Sequence, residues 1–213
     1  MSDVLMSIQP KWVEKIANGK KTVEVRKSKP KLETPFKVYI YCTKSKNHFL
    51  QSKDNMFFYC EESDFIGKHG AGLYQRLNGK VIGYFVCDSF YGITNFLPYD
   101  GEDCHHSVTQ GVLEQTCLED YEIDEYLGKK DGYGWHISQL KIYDKPKELS
   151  EFKRWNRTEE NIPCAHTKWL YPDCKDCKAC NLTRPPQSWC YVEEIERRIA
   201  PLISFREKIL RNL

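Results

Sequence analysis

The sequence predicts an α+β fold, a small and strongly bent β-sheet or barrel decorated by helices. Three observations lead there. Stretches rich in β-branched and aromatic residues are short and numerous, at residues 3–8, 22–26, 37–42, 80–91 and 132–143. Few helical stretches separate them, which is the spacing of a small bent sheet. Gly83 lies inside the strongest of these runs, where a missing side chain marks a bulge or the tight corner of a barrel.

Taken in order, residues 3–8 read as a first strand. Pro10 suits the opening turn of a helix, where its missing N–H costs nothing. Residues 11–18 continue that helix, with Trp12, Val13 and Ile16 on one face, and Gly19 is placed as its left-handed C-terminal cap. Residues 22–26 return as a strand in which Val23 and Val25 alternate with Glu24 and Arg26. Pro30 and Pro35 make residues 27–35 a basic loop, and 37–42 form a compact strand. Residues 48–79, with Gly67, Gly70 and Gly72, suggest a winding insertion with a helical turn near 73–77. Asn78-Gly79 is a turn signal before the strand 80–91.

Residues 95–107 are polar and loop-like. Residues 109–127 are acidic and read as one helix, with Val112, Leu113, Cys117 and Leu118 on one face and Gly128 as its stop. Residues 132–143 form a strand with Trp135 and Ile137 facing in, ended by Pro146. A short helix is expected at 150–157. A final helix at 193–213 carries the stripe Ile195, Ile199, Leu202, Ile203 and Ile209, kinked at Pro201.

The 213 residues suffice for one domain with an elaboration and for a core that needs no staples. A net charge of +2 gives no general signal for nucleic acid, but charge is unevenly placed. The first 31 residues are basic, and acids gather at 114–131, a polarity that can steer a polyanion. No secretory signal and no apolar run of about 18 residues is evident, so a cytoplasmic protein without a membrane partner is expected. There the 10 cysteines are thiols or metal ligands rather than disulfides.

Half of those cysteines crowd together. Cys174-x2-Cys177-x2-Cys180 contains two overlapping Cys-x2-Cys pairs, with Cys164 and His166 upstream and Cys190 downstream. Two residues between thiolates let both reach one tetrahedral zinc ion. Four of Cys164, Cys174, Cys177, Cys180 and Cys190 are the expected ligands of a structural Zn²⁺, and the metal would order this polar segment.

Other chemistry-bearing residues cluster in the opening strand. Lys21 and Arg26 can hold phosphate, Arg in bidentate fashion. Glu24 can accept from an exocyclic amine such as cytosine N4, or orient the lysine. The same three residues could equally be a salt-bridge cluster of no ligand role. On the ligand reading Lys21→Ala and Arg26→Ala weaken binding and leave melting unchanged. Trp135 and His136, being neighbours on a strand, face opposite sides. If Trp135 is core, His136 faces the cleft or solvent. In Arg184-Pro185-Pro186-Gln187-Ser188-Trp189 the prolines stiffen a loop that could present Arg184, Gln187 and Trp189 to a ligand, with Trp189 stacking on a base. Alternatively Trp189 packs in a last strand.

The spacing Gly19-x-Lys21-x-x-Glu24-x-Arg26 resembles the signature of ASCH domains, members of the PUA-like β-barrel superfamily. The order of strands supports the likeness, as do Gly79-Lys80-Val81-Ile82-Gly83 and Gly134-Trp135-His136-Ile137 followed by Lys145-Pro146. The resemblance covers residues 1–146. It implies a small PUA-like barrel whose cleft, lined by Lys21, Glu24 and Arg26, faces RNA or a modified nucleotide. Relatives with ribonuclease activity, and amidohydrolases acting on acylated cytidine, imply an alternative in which Lys21 and Glu24 are the reactive pair. The amidohydrolases use a Lys and a Thr from this segment with a distant Glu. Lys21 matches the Lys, but Glu24 stands in place of the Thr. The expected organisation is therefore an ASCH-type barrel at 1–146, a zinc-knuckle-like segment at 147–192 packed on it, and a C-terminal helix at 193–213. A third reading makes the zinc segment or final helix a protein-interaction adaptor.

Overall fold

The computed structural model describes residues 3–61, 75–96, 105–154 and 182–194. In chain order the elements are β1 (Asp3–Ile8), α1 (Pro10–Ala17), β2 (Val23–Arg26), β3 (Phe36–Cys42), β4 (His48–Lys53), β5 (Met56–Glu61), β6 (Gln75–Arg76), β7 (Val81–Cys87) and β8 (Phe90–Phe96). They continue with β9 (His105–Ser107), α2 (Gln110–Thr116), α3 (Asp120–Leu127), β10 (Gly132–His136), β11 (Ser138–Lys147), a 3₁₀ turn at Leu149–Glu151, β12 (Phe152–Arg154) and β13 (Trp189–Glu194).

The strands form three sheets, ordered β11-β7-β3-β1-β13-β12, β2-β10-β8-β9 and β5-β4-β6. β1 and β3 run parallel, and the other pairs are antiparallel. The fold class is α+β as expected, but among the described residues no closed barrel forms. The first two sheets share a bent antiparallel pair instead, since β7 passes into β8 and β10 into β11. Closure stops at β2, where the Thr22 N–H bonds the Gln115 carbonyl at the end of α2 rather than a further strand.

β1 explains why its sequence is so evenly apolar. It lies inside the six-stranded sheet with both faces covered. Val4, Met6 and Ile8 join a core with Val13 and Ile16 of α1, Val38, Phe85 and Trp135. Leu5 points the other way, into a second core with Tyr39, Val81, Phe152 and Val192.

Several expectations are corrected. The insertion at 48–79 begins with a hairpin, β4–β5, turning on Asp54 and Asn55, both with positive φ (51° and 61°). Such a two-residue turn matches strand twist and accepts Asp and Asn. Gln75 and Arg76 pair with β4 and are not helical. The long run at 80–91 breaks at Asp88–Ser89, and the helix at 109–127 breaks at Cys117, which adopts φ +54°. β11 runs through Pro146 to Lys147.

Residues 152–154 are strand rather than helix, and Glu193 and Glu194 belong to β13 rather than to a C-terminal helix. Both strands are built into the main sheet. Residues 195–213, with the apolar stripe, lie outside the described residues. The glycine reading holds: a Cβ on Gly83 would lie 2.2 Å from the Lys141 carbonyl, so β11 crosses too closely for a side chain. No helix of the described residues is long and apolar enough to cross a membrane.

Candidate functional site

The end of α1 sets the site. Gly19 takes φ +73°, and the Gly19 and Lys20 N–H groups bond the Ile16 and Lys15 carbonyls. This double cap satisfies the helix end and reverses the chain sharply. It delivers Lys21 to the mouth of β2, where Glu24 and Arg26 follow on one face of the strand.

The three charges form a buried chain. Lys21 Nζ lies 3.4 Å from Glu24 Oε2, and an Arg26 terminal nitrogen donates to Glu24 Oε1 at 2.9 Å. Arg26 also donates to the Ser7 carbonyl at 2.7 Å, and Lys21 donates to the Thr116 carbonyl. Lys21 is 2% exposed, Glu24 6% and Arg26 8%. Burial depresses the Lys21 pKa, opposed by the Glu24 carboxylate. The Arg26 Nε is buried with no hydrogen-bond partner among the described residues.

These residues line a cavity of about 830 Å³. Trp12 and Lys11 of α1 flank it, with Lys21 Nζ 5.1 Å from the centre of the Trp12 ring. Glu122, Glu125 and Tyr126 of α3 face them, and Lys11 reaches Glu122 at 3.7 Å. A third side is Pro185, Pro186 and Gln187. Ser7 fixes that segment, because its hydroxyl donates to the Pro186 carbonyl and its N–H to the Ser188 carbonyl. Among the described residues the lining holds three bases, Lys11, Lys21 and Arg26, against three acids, Glu24, Glu122 and Glu125. Such a balanced site suits a polar ligand with donor and acceptor edges better than a run of phosphates.

The other candidate residues lie elsewhere. Trp135 is fully buried, packed against Phe36, Phe90 and Trp189, and belongs to the core rather than the cavity wall. His136 Nδ1 meets Asp88 Oδ1 at 2.6 Å, away from the cavity, and this bond holds the Asp88 carboxyl below its ordinary pKa. Arg184 is exposed and outside the lining. Trp189 sits in β13, with its indole N–H directed to Ser28 Oγ at 3.2 Å, while Gln187 of the same loop reaches the cavity.

Sequence reasoning missed the wall made by α3. It depends on the left-handed turn at Cys117, which aims the Thr116 carbonyl at Lys21, and no glycine marks that turn.

Of the metal candidates, Cys164, Cys174, Cys177 and Cys180 lie outside the described residues. Cys190 is half-buried on β13 against the second core, and burial pushes its thiol up to about 11. Among the described residues no group of three His, Cys, Asp or Glu side chains is placed to hold a metal ion.

The chain is similar to a solved structure of ASCH from Zymomonas mobilis, at 14% identity and a TM-score of 0.49, covering 94% of this chain and 94% of that one. A single-residue variant of the same Zymomonas mobilis protein is 15% identical, with a TM-score of 0.49 and coverage of 96% and 98%. No curated protein matches the chain. The model of the ASCH domain family matches residues 6–88, a span that contains the capped helix and all three charges at the start of β2.

Proposed function

We propose that the cavity binds one unpaired nucleotide, or a modified nucleotide, of an RNA strand. The observation that carries this is the Lys21–Glu24–Arg26 chain, ion-paired and set in the wall of the cavity. The balanced charge of the lining favours a single inserted nucleotide over a duplex. The match of residues 6–88 to the ASCH domain family, whose resemblance implies RNA binding, supports the same reading.

The test is a labelled-oligonucleotide gel with native and denaturing lanes, using single-stranded RNA, single-stranded DNA and duplexes at two salt concentrations. Lys21→Met is the informative variant, since it leaves Glu24 and Arg26 paired. It is expected to weaken RNA binding roughly 10- to 100-fold, the equivalent of one charged hydrogen bond. Cut RNA in the denaturing lane, lost in Lys21→Met, would instead make the protein a ribonuclease. Neither shift nor cutting would remove RNA as the ligand.

We further propose a structural zinc site in the cysteine-rich segment. The packing of Cys190 against the second core favours Cys164, Cys174, Cys177 and Cys180 as the four ligands. Purified protein should then hold about one equivalent of zinc per chain, as four thiolates complete one tetrahedral site. Cys177→Ser should lose it, whereas Cys190→Ser should keep it. Metal-free protein whose segment still resists protease would refute the site.

A further inference from the structure

The cavity continues past Lys11. Gln9, Lys11 and Thr43 line it and also line a second hollow of about 300 Å³, completed chiefly by Lys44, His48 and Tyr59. The His48 and Tyr59 rings stack with centroids 5.3 Å apart and planes 8° from parallel. Both remain accessible, the His48 side chain 40% and Tyr59 38% exposed.

This platform is held in place. The Asn78 amide donates to the Thr43 and His48 carbonyls at 3.2 and 3.1 Å, and its oxygen accepts the Leu50 N–H at 2.8 Å. One side chain thus ties the loop after β3 to the start of β4. The charge also differs from that of the first cavity. Among the described residues the second hollow is lined by Lys11 and Lys44 and by no acid; Glu61, itself well exposed, lies 3.9 Å from His48 Nε2.

Accessible parallel aromatic rings beside Lys44, and beside Lys11 on the side away from its 3.7 Å contact with Glu122, form a stacking subsite with a phosphate path. Resting on the reading of the first cavity as a nucleotide pocket, we propose that the second hollow takes the adjoining nucleotide of the same single strand. Its base stacks on the His48–Tyr59 pair, and the linking phosphate lies over Lys11 and Lys44. The footprint is then at least two nucleotides, and isolated nucleotides fill only half of it.

Fluorescence anisotropy with a randomised RNA hexamer, competed by each nucleoside monophosphate, tests this. The hexamer should bind at least about tenfold tighter than any monophosphate. Tyr59→Ala should weaken the hexamer roughly 5- to 100-fold, the range found for one base–aromatic stack, and leave monophosphate competition constants and melting unchanged. Lys44→Ala should lower the salt slope of hexamer binding by about one. His48→Ala serves as a second variant should Tyr59→Ala misfold. Equal affinity for hexamer and monophosphate, or hexamer binding indifferent to both ring substitutions, would overturn the subsite. Failure of the cavity reading looks different: Lys21→Met would then leave monophosphate and hexamer affinities alike untouched. A wild-type protein that binds neither probe refutes both.

Discussion

Glu24→Gln is expected to lower the unfolding free energy by about 3–5 kcal/mol, the usual cost of leaving a buried charge without its partner. Glu24 is the only acid in the triad and touches both bases. Glutamine keeps the shape and removes the charge, so Lys21 and Arg26 would face each other as buried cations. Lys21→Met removes a different member and should behave differently. It leaves one balanced pair and replaces a desolvated ammonium by an apolar chain of similar volume, so stability should stay within about 1 kcal/mol of wild type. Urea denaturation of the two variants makes the comparison directly. Losses below about 1 kcal/mol for both would mean that solvent screens the triad, as at a surface site. The expectation that Lys21 and Arg26 could each be removed without affecting melting is thus narrowed to Lys21 alone.

The second large effect is alkaline. Cys42 and Cys87 are fully buried, and desolvation raises their thiol pKa values to about 12 from an ordinary 9.0. A raised folded pKa stabilises the fold fully below the unfolded value and is lost as pH climbs from about 9 toward about 12. At pH 10 each thiol should account for a loss of about 1.4 kcal/mol, one pH unit above the unfolded pKa. Lys21 works the other way. Its folded pKa is depressed, so its contribution rises as pH passes that value toward the ordinary 10.5. Lys21→Met therefore provides the clean background. In it, adding Cys42→Ala and Cys87→Ala should make the stability lost between pH 8 and pH 10 smaller by about 3 kcal/mol, whatever the alanines cost at pH 8. An identical pH dependence with and without the two thiols would rule them out as the cause.

Much of the site's near side was legible in the sequence because it is local. Pro10, the Trp12–Val13–Ile16 face and Gly19 specify a short capped helix, and alternation in β2 places Glu24 and Arg26 together. The far side was not legible, because it is assembled from distant segments. Glu122, Glu125 and Tyr126 reach the cavity through a turn at Cys117 that no special residue announces. Pro185–Gln187 reach it because Ser7, an unremarkable polar residue in an apolar strand, supplies two hydrogen bonds. The Asp54-Asn55 hairpin could have been found, since both residues tolerate left-handed backbone. Trp135 and Trp189 illustrate the opposite limit. An aromatic pattern alone does not separate a stacking surface from a core.

The position of β13 bears on how the chain is made. Residues 189–194 fill the slot between β1 and β12, and Ser7 meets Pro186 across 179 residues of sequence. During synthesis β1 can pair with β3 early, but its other edge waits for β13. Until then the Val4-Leu5-Met6 stretch presents open backbone groups flanked by apolar side chains, the kind of edge that other chains can capture. The nascent protein is therefore most exposed to misassembly while the ribosome is reading the message between β3 and β13, and one edge of β1 stays unsealed throughout that interval.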